Sequence, residues 1–242
     1  MALPSIAQID PRFARVFAPE TSKRRSPASK SKTRATISNP TSMATLTTGS
    51  GHSIKQFVVH KDFACHYSPV LKAAFNSNFL EGRTQVYHLD DVEEEVGSLL
   101  VNWLYSQDLV VESIEKEENV PYEAVHLVQL WVVADKLLIP QLQNLVIQKL
   151  IKREKILGII PIDTLTDLYK TTSKDSPLRL LLLHQCACLL DPWHFSKFPE
   201  DFPKEMLLEL AQFACGDQSN LTKRSGIHTN LDQYMVSDNS EG

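Results

Sequence analysis

At 242 residues the chain has room for one or two domains, and its 43% hydrophobic and 22% charged residues are ordinary for a globular protein. Eight glycines, thirteen prolines and four cysteines exclude a collagen-like repeat and a disulfide-built scaffold; reduced thiols fit a cytosolic or nuclear protein. A net charge of −4 predicts no general attraction to nucleic acid or acidic membranes, and no stretch reaches the ~18 apolar residues of a membrane span.

The charge is unevenly spread. Residues 1–50 hold eight Lys or Arg against two acids, a net +6, which leaves −10 for the rest. Residues 1–43 read as a disordered basic arm, with too few large apolar groups to offset the entropy of ordering. Lys23, Arg24, Arg25, Lys30, Lys32 and Arg34 are candidates for nuclear import or an anion contact. Their scatter, with no aromatic between them, favours a solvated tail. The opening MALPSIAQIDPRF does not read as a secretory signal.

Residues 44–56, ATLTTGSGHSIKQ, predict a strand and a hairpin turn at Gly49-Ser50-Gly51, where glycine tolerates positive φ. Phe57 and Val59 alternate with Val58 and His60, the pattern of a second strand. Ser68-Pro69 opens a helix: Ser accepts from an early backbone N–H, and Pro gives up a donor that would be orphaned anyway. Val70, Leu71, Ala74 and Phe75 share one of its sides. Residues 79–82, FLEG, interrupt the pattern as an exposed loop, and 85–89 return to strand alternation. Val92, Val96, Leu99, Leu100, Trp103 and Leu104 make a long helical stripe, with Asp91 and Glu94 as a capping pair at its start.

Residues 106–121 form an acidic connection in which Leu109-Val110-Val111 adds a short strand. Glu112, Glu115, Glu117 and Glu118 there read as a solvated loop rather than a docking surface. Residues 122–152 predict a helical hairpin. Glu123, His126 and Gln129 mark the polar line of its first helix; Pro140 opens the second, with Leu142, Leu145, Val146 and Leu150 inward. Three further helices follow within 153–215. The middle one enters at Ser176-Pro177, and the last turns Met206, Leu207, Leu210 and Phe213 inward. Residues 216–242 read as a disordered tail.

The blocks F-V-V-H-K at 57–61, S-P-V-L-K-A-A-F at 68–75, F-L-E at 79–81, L-D-D-V at 89–92 and W-L-Y at 103–105 resemble, in order and spacing, a BTB/POZ domain. The string LVQLWVVADKLLIPQLQNLVI resembles the paired helices that close that domain, and the spacing is most similar to the short stand-alone BTB proteins of filamentous fungi. The resemblance implies an α+β BTB/POZ fold over 44–152, a small β-sheet capped by a helical bundle, followed by an α-helical C-terminal extension over 153–215. It implies a protein–protein interaction module, not an enzyme, with homodimers among its assemblies and a cytoplasmic or nuclear place. One departure is the first strand, which offers little beyond Leu46 and argues against a fully formed strand and any dimer contact using it.

The resemblance also singles out Phe79-Leu80-Glu81, which stands where BTB adaptors of cullin-type ubiquitin ligases carry a hydrophobic residue, any residue, then Glu. An exposed aromatic there would fill a partner's pocket and the Glu would set orientation. The competing reading folds Phe79 back under Phe75. No other group reads as a site. His184, Cys186 and Cys188 diverge at their spacing on a helix, against the close pairs zinc needs. Cys65 and His66 are adjacent and point apart, and His60 reads as a histidine bonded to backbone around its turn. With no phosphate-binding, dinucleotide or nucleophile-elbow motif, no catalytic, cofactor or metal residue is expected. Two functions follow: an adaptor that self-associates or docks a cullin scaffold, or a nuclear regulatory protein that oligomerises through the fold and uses the basic arm.

Overall fold

The computed structural model describes residues 34–49, 53–109, 120–215 and 230–237, the side chains of 120–123 excepted. A three-stranded sheet has β1 (Met43–Thr48) in its middle, antiparallel to β2 (Lys55–His60) and parallel to β3 (Val86–Leu89). Leu46 pairs with Phe57 on one side and Tyr87 on the other. The expectation of an incomplete first strand is therefore corrected. Ala44, Leu46 and Thr48 of β1 are all at most 1% exposed. Hydrogen bonding on both edges and close cover by helices compensate for few large apolar residues, and its β-branched threonines suit a pleated surface. Thr47 Oγ1 also meets His88 Nδ1 at 2.6 Å across the sheet.

Helices α1 (Lys61–Tyr67), α2 (Pro69–Phe75) and α4 (Glu94–Ser106) pack on this sheet. The Ser-Pro entry to α2 forms as expected: Ser68 Oγ accepts from Leu71 N at 3.0 Å and donates to the Leu137 carbonyl at 2.7 Å. One buried hydroxyl thus caps α2 and ties it to the end of α5 (Val120–Lys136). Gly97 lets α4 approach the sheet; a Cβ there would meet Phe57 and Thr48 side chains at 2.7 Å.

Two local expectations fail. Asp91 does not cap α4: its φ of +58° places it in a turn, and the N-cap is Glu93, without a side-chain bond. Glu94 and Glu95 in the first turn still suit the helix dipole, and Glu94 pairs with Lys55 at 3.0 Å. His60 does not bond backbone around its turn; its Nδ1 meets the Tyr105 hydroxyl at 3.0 Å. Asp62 accepts instead from Ser38 N at 2.6 Å and Asn39 N at 3.1 Å, which holds its carboxyl below the usual range.

α5 and α6 (Pro140–Leu157) form the expected hairpin, closed by Leu138 at φ +54° with Pro140 at the head of α6. Leu142, Val146 and Leu150 are buried on its inner face. α6 runs straight through the division drawn at 152, and the buried cluster continues past it into α7 (Leu165–Thr171), α8 (Pro177–Leu189) and α10 (Lys204–Cys215), with α9 (Trp193–Lys197) between. Ser176 caps α8 as Ser68 caps α2. Leu207 is a correction: it is 43% exposed, because Met206, Leu210 and Phe213 share one stripe and Leu207 lies about 100° from it.

The ends of the chain hold the other corrections. Part of the arm expected to be disordered over 1–43 packs on the fold: Ala35 N donates to the Tyr67 hydroxyl at 3.1 Å. The tail expected to be disordered over 216–242 is ordered at 230–237. Tyr234 is fully buried, its hydroxyl 2.9 Å from His184 Nδ1, and Asn144 makes paired bonds to the backbone of Val236 at 2.9 and 2.7 Å. Val110, Val111, Glu112, Glu115, Glu117 and Glu118 lie outside the described residues, so the strand expected there does too; Leu109 itself is buried.

Candidate interaction surface

Residues 79–82 are not an open loop. They enter α3 (Leu80–Thr84), a short helix set between α2 and β3. Its backbone is tied from several sides. Ser77 Oγ donates to Ala74 O at 2.8 Å and accepts from Phe79 N at 3.2 Å. Gln85 adopts φ +57°, and its side-chain amide donates to Phe75 O at 3.0 Å and Gly82 O at 2.6 Å. Lys61 Nζ donates to the same Phe75 carbonyl at 2.9 Å, so the end of α2 is fixed as well. A Cβ on Gly82 would stand 1.9 Å from the Ser77 carbonyl oxygen, a contact only glycine permits.

On this fixed backbone the apolar side chains point out. Phe79 is 77% exposed and Leu80 64%. Phe79 therefore does not fold back under Phe75, which is 1% exposed and faces Tyr87 at 6.4 Å. Glu81 is half-buried on the next position. The Tyr87 hydroxyl is pushed up by burial and then by the nearby Glu81 carboxylate. The result is an aromatic and an aliphatic anchor beside a carboxylate on a preset backbone, so little ordering cost remains for binding. Gly82→Ala is expected to dislodge α3 and weaken any partner that uses Phe79 at least tenfold, while the melting temperature falls by only a few degrees, ~1–2 kcal/mol; isothermal titration and thermal denaturation of the same sample check both.

Among the described residues no helix is long and apolar enough to cross a membrane. Residues 42–154 match the family model of the BTB/POZ domain. The chain carries a BTB/POZ domain. That domain family mediates protein–protein interaction; within the match the chain builds the small α+β unit of sheet and helices, and further helices follow it. No curated protein matches the chain.

The other sequence candidates fall as follows. Within the BTB/POZ domain, Cys65 is half-buried, its thiol pushed up by desolvation, and His66 stands edge-on to Tyr67 at 4.7 Å. Beyond the domain, His184 bonds Tyr234 and lies 5.1 Å from Phe213, while Cys186 is buried with its thiol pushed up to about 12 by desolvation. These groups serve packing. Glu93, Glu95 and His126 come together at the surface, where His126 Nε2 already lies 3.4 Å from Glu93 Oε2. Lys23, Arg24, Arg25, Lys30 and Lys32 lie outside the described residues, and Arg34 is exposed. Ser77, Gly82 and Gln85 hold α3, a role that the loop and strand patterns at 79–82 and 85–89 do not convey. The glycine directly after Glu81 was the one available signal; Gln85 in a left-handed conformation gives none.

Proposed function

We propose that the chain is an adaptor whose BTB/POZ domain self-associates or docks a cullin-type scaffold, with the helices beyond it recruiting a client. The reading rests on the exposure of Phe79 and Leu80 on a helix whose backbone is already fixed. Phe79 fills the scaffold's apolar pocket, and Glu81 sets orientation and encounter rate. Phe79→Ala is expected to weaken binding to a purified cullin N-terminal domain by about 2 kcal/mol, roughly thirtyfold, with Glu81→Ala acting mainly on the association rate. Surface plasmon resonance reads both; an unchanged Phe79→Ala variant removes the cullin reading. Light scattering at tens of micromolar tests self-association.

A second reading is supported by the charge asymmetry, +6 in the first 50 residues against −10 in the rest. In it the chain is a nuclear regulatory protein that oligomerises through the BTB/POZ domain and uses the arm for import or nucleic-acid contact. A steep salt dependence of DNA binding would favour it over the adaptor.

A further inference from the structure

The segment 230–237 lies across α6 and α8 as a bound peptide would. It contains a single 3-10 turn, Leu231–Tyr234, and joins no strand or α-helix of the body. Tyr234 is fully buried, its ring edge-on to His184 at 5.8 Å and its hydroxyl 2.9 Å from His184 Nδ1. Phe213 of α10 lies 5.1 Å from the same imidazole. Met235 then extends, with φ −89° and ψ 140°. At the next position the Asn144 side chain donates to the Val236 carbonyl at 2.9 Å and accepts from the Val236 N–H at 2.7 Å. Leu231, Met235 and Val236 rest half-buried on the core, while Asp232 and Gln233 are exposed.

These contacts are of two kinds. The ring pocket selects tyrosine, because it buries an aromatic body and gives its hydroxyl a partner. The Asn144 amide reads only backbone two positions further on, and every residue but proline offers that N–H and C=O pair. A side-chain pocket for specificity beside main-chain bonds for affinity is how a groove takes an extended peptide from another protein. Fourteen residues, 216–229, separate the segment from α10, enough chain to span up to ~50 Å. So tethered, the segment competes at an effective concentration on the order of 1 mM. The tail of a second copy, with the same contacts but at micromolar concentration, does not displace it; a segment that binds the groove more tightly does.

We propose that the groove between α6 and α8 is a docking site for a tyrosine-bearing segment of a client protein, which residues 230–237 occupy as a tethered competitor. The proposal rests on the adaptor reading for the existence of a client, and it needs neither Phe79 nor a cullin. The tyrosine it takes is unphosphorylated, because a phosphate would replace the buried hydroxyl that meets His184.

The test is fluorescence anisotropy of a labelled peptide of residues 230–237, NLDQYMVS, titrated with the full chain and with its Tyr234→Ala and Val236→Pro variants. The first variant empties the ring pocket; the second removes the N–H that Asn144 accepts. Both variants are expected to bind the peptide with a dissociation constant of about 10–100 μM, as suits one buried aromatic anchor. The unaltered chain should bind it at least about tenfold more weakly, because its own tail competes. Adding Asn144→Ala to Tyr234→Ala should weaken the peptide about fivefold or more. Alanine in place of both Asp232 and Gln233 in the peptide should change little, whereas alanine or phosphotyrosine in place of Tyr234 should remove binding. Equal affinity for the unaltered chain and its variants, binding of the tyrosine-free peptide, or no binding to either variant would overturn the proposal. So would loss of helical circular dichroism in both variants, which would make the segment part of the core and not a replaceable ligand. Light scattering that shows dimers of the unaltered chain and monomers of Tyr234→Ala would assign the groove to the tail of a second copy instead. Failure of Phe79→Ala to weaken a cullin would leave all of these peptide results unmoved, so the two readings fail separately.

Discussion

Arg179→Met is expected to destabilise the chain by about 3–5 kcal/mol, the scale of breaking a buried charged clamp. For a folded region of this size that lowers the melting temperature by ~6–20 °C, readable by calorimetry. Arg179 lies in the first turn of α8 and is 5% exposed. A positive charge there opposes the helix dipole, so its position must be stabilised by contacts instead. Its Nε donates to Thr172 Oγ1 at 2.9 Å, and Nη2 donates to the carbonyls of Tyr169 and Thr172. Those carbonyls belong to the end of α7, where no helical partner remains for them. The guanidinium carbon sits 4.3 Å above the Tyr169 ring, and Nη1 is 3.4 Å from Glu205 of α10. One side chain thus joins α7, α8 and α10. Methionine keeps much of the volume and abandons the two carbonyls. Lysine should recover little, because a single ammonium cannot reproduce the fork. Glu205→Gln is expected to cost less than ~1 kcal/mol, since Glu205 is half exposed and the pair is screened.

What the sequence announced and what it hid divide along a physical line. Local devices were plain: Ser68-Pro69 and Ser176-Pro177 open their helices by a mechanism contained in two residues. The stripe of α4 was equally plain, because four of its members are buried on the face that spacing alone selects. Features set by distant partners were hidden. β1 has little apolar content of its own and becomes the central strand because β2 and β3 flank it. Tyr234 lies in a short segment with no helical or strand period of its own, and the segment is held because α8 offers His184 to Tyr234 and α6 offers Asn144 to Val236, some fifty to ninety positions away. The candidate site was half legible. Phe79-Leu80-Glu81 could be picked out by resemblance, but its outward geometry depends on Gly82 meeting Ser77 and on the left-handed turn at Gln85. Neither leaves a periodic trace.

Trp103→Ala is expected to cost about 3–5 kcal/mol through the cavity it leaves. Trp103 is 1% exposed on α4 and meets Tyr67 edge-to-face at 5.3 Å. Tyr67 is itself buried and accepts the backbone bond from Ala35, so the loss should spread to α1 and the segment at its flank. Amide exchange at Ala35 would report this before global melting. The comparison with Phe79→Ala separates folding from binding. Phe79 touches little of the core, so its removal should leave stability within about 0.5 kcal/mol while weakening the partner. Trp103→Ala, measured well below its lowered melting temperature, should retain the partner affinity because α3 is anchored by Ser77, Gln85 and Lys61 rather than by the ring. If both variants lost binding equally at a temperature where both are folded, the partner would be reading the whole sheet-and-helix body, and the exposed pair on α3 would not be its anchor.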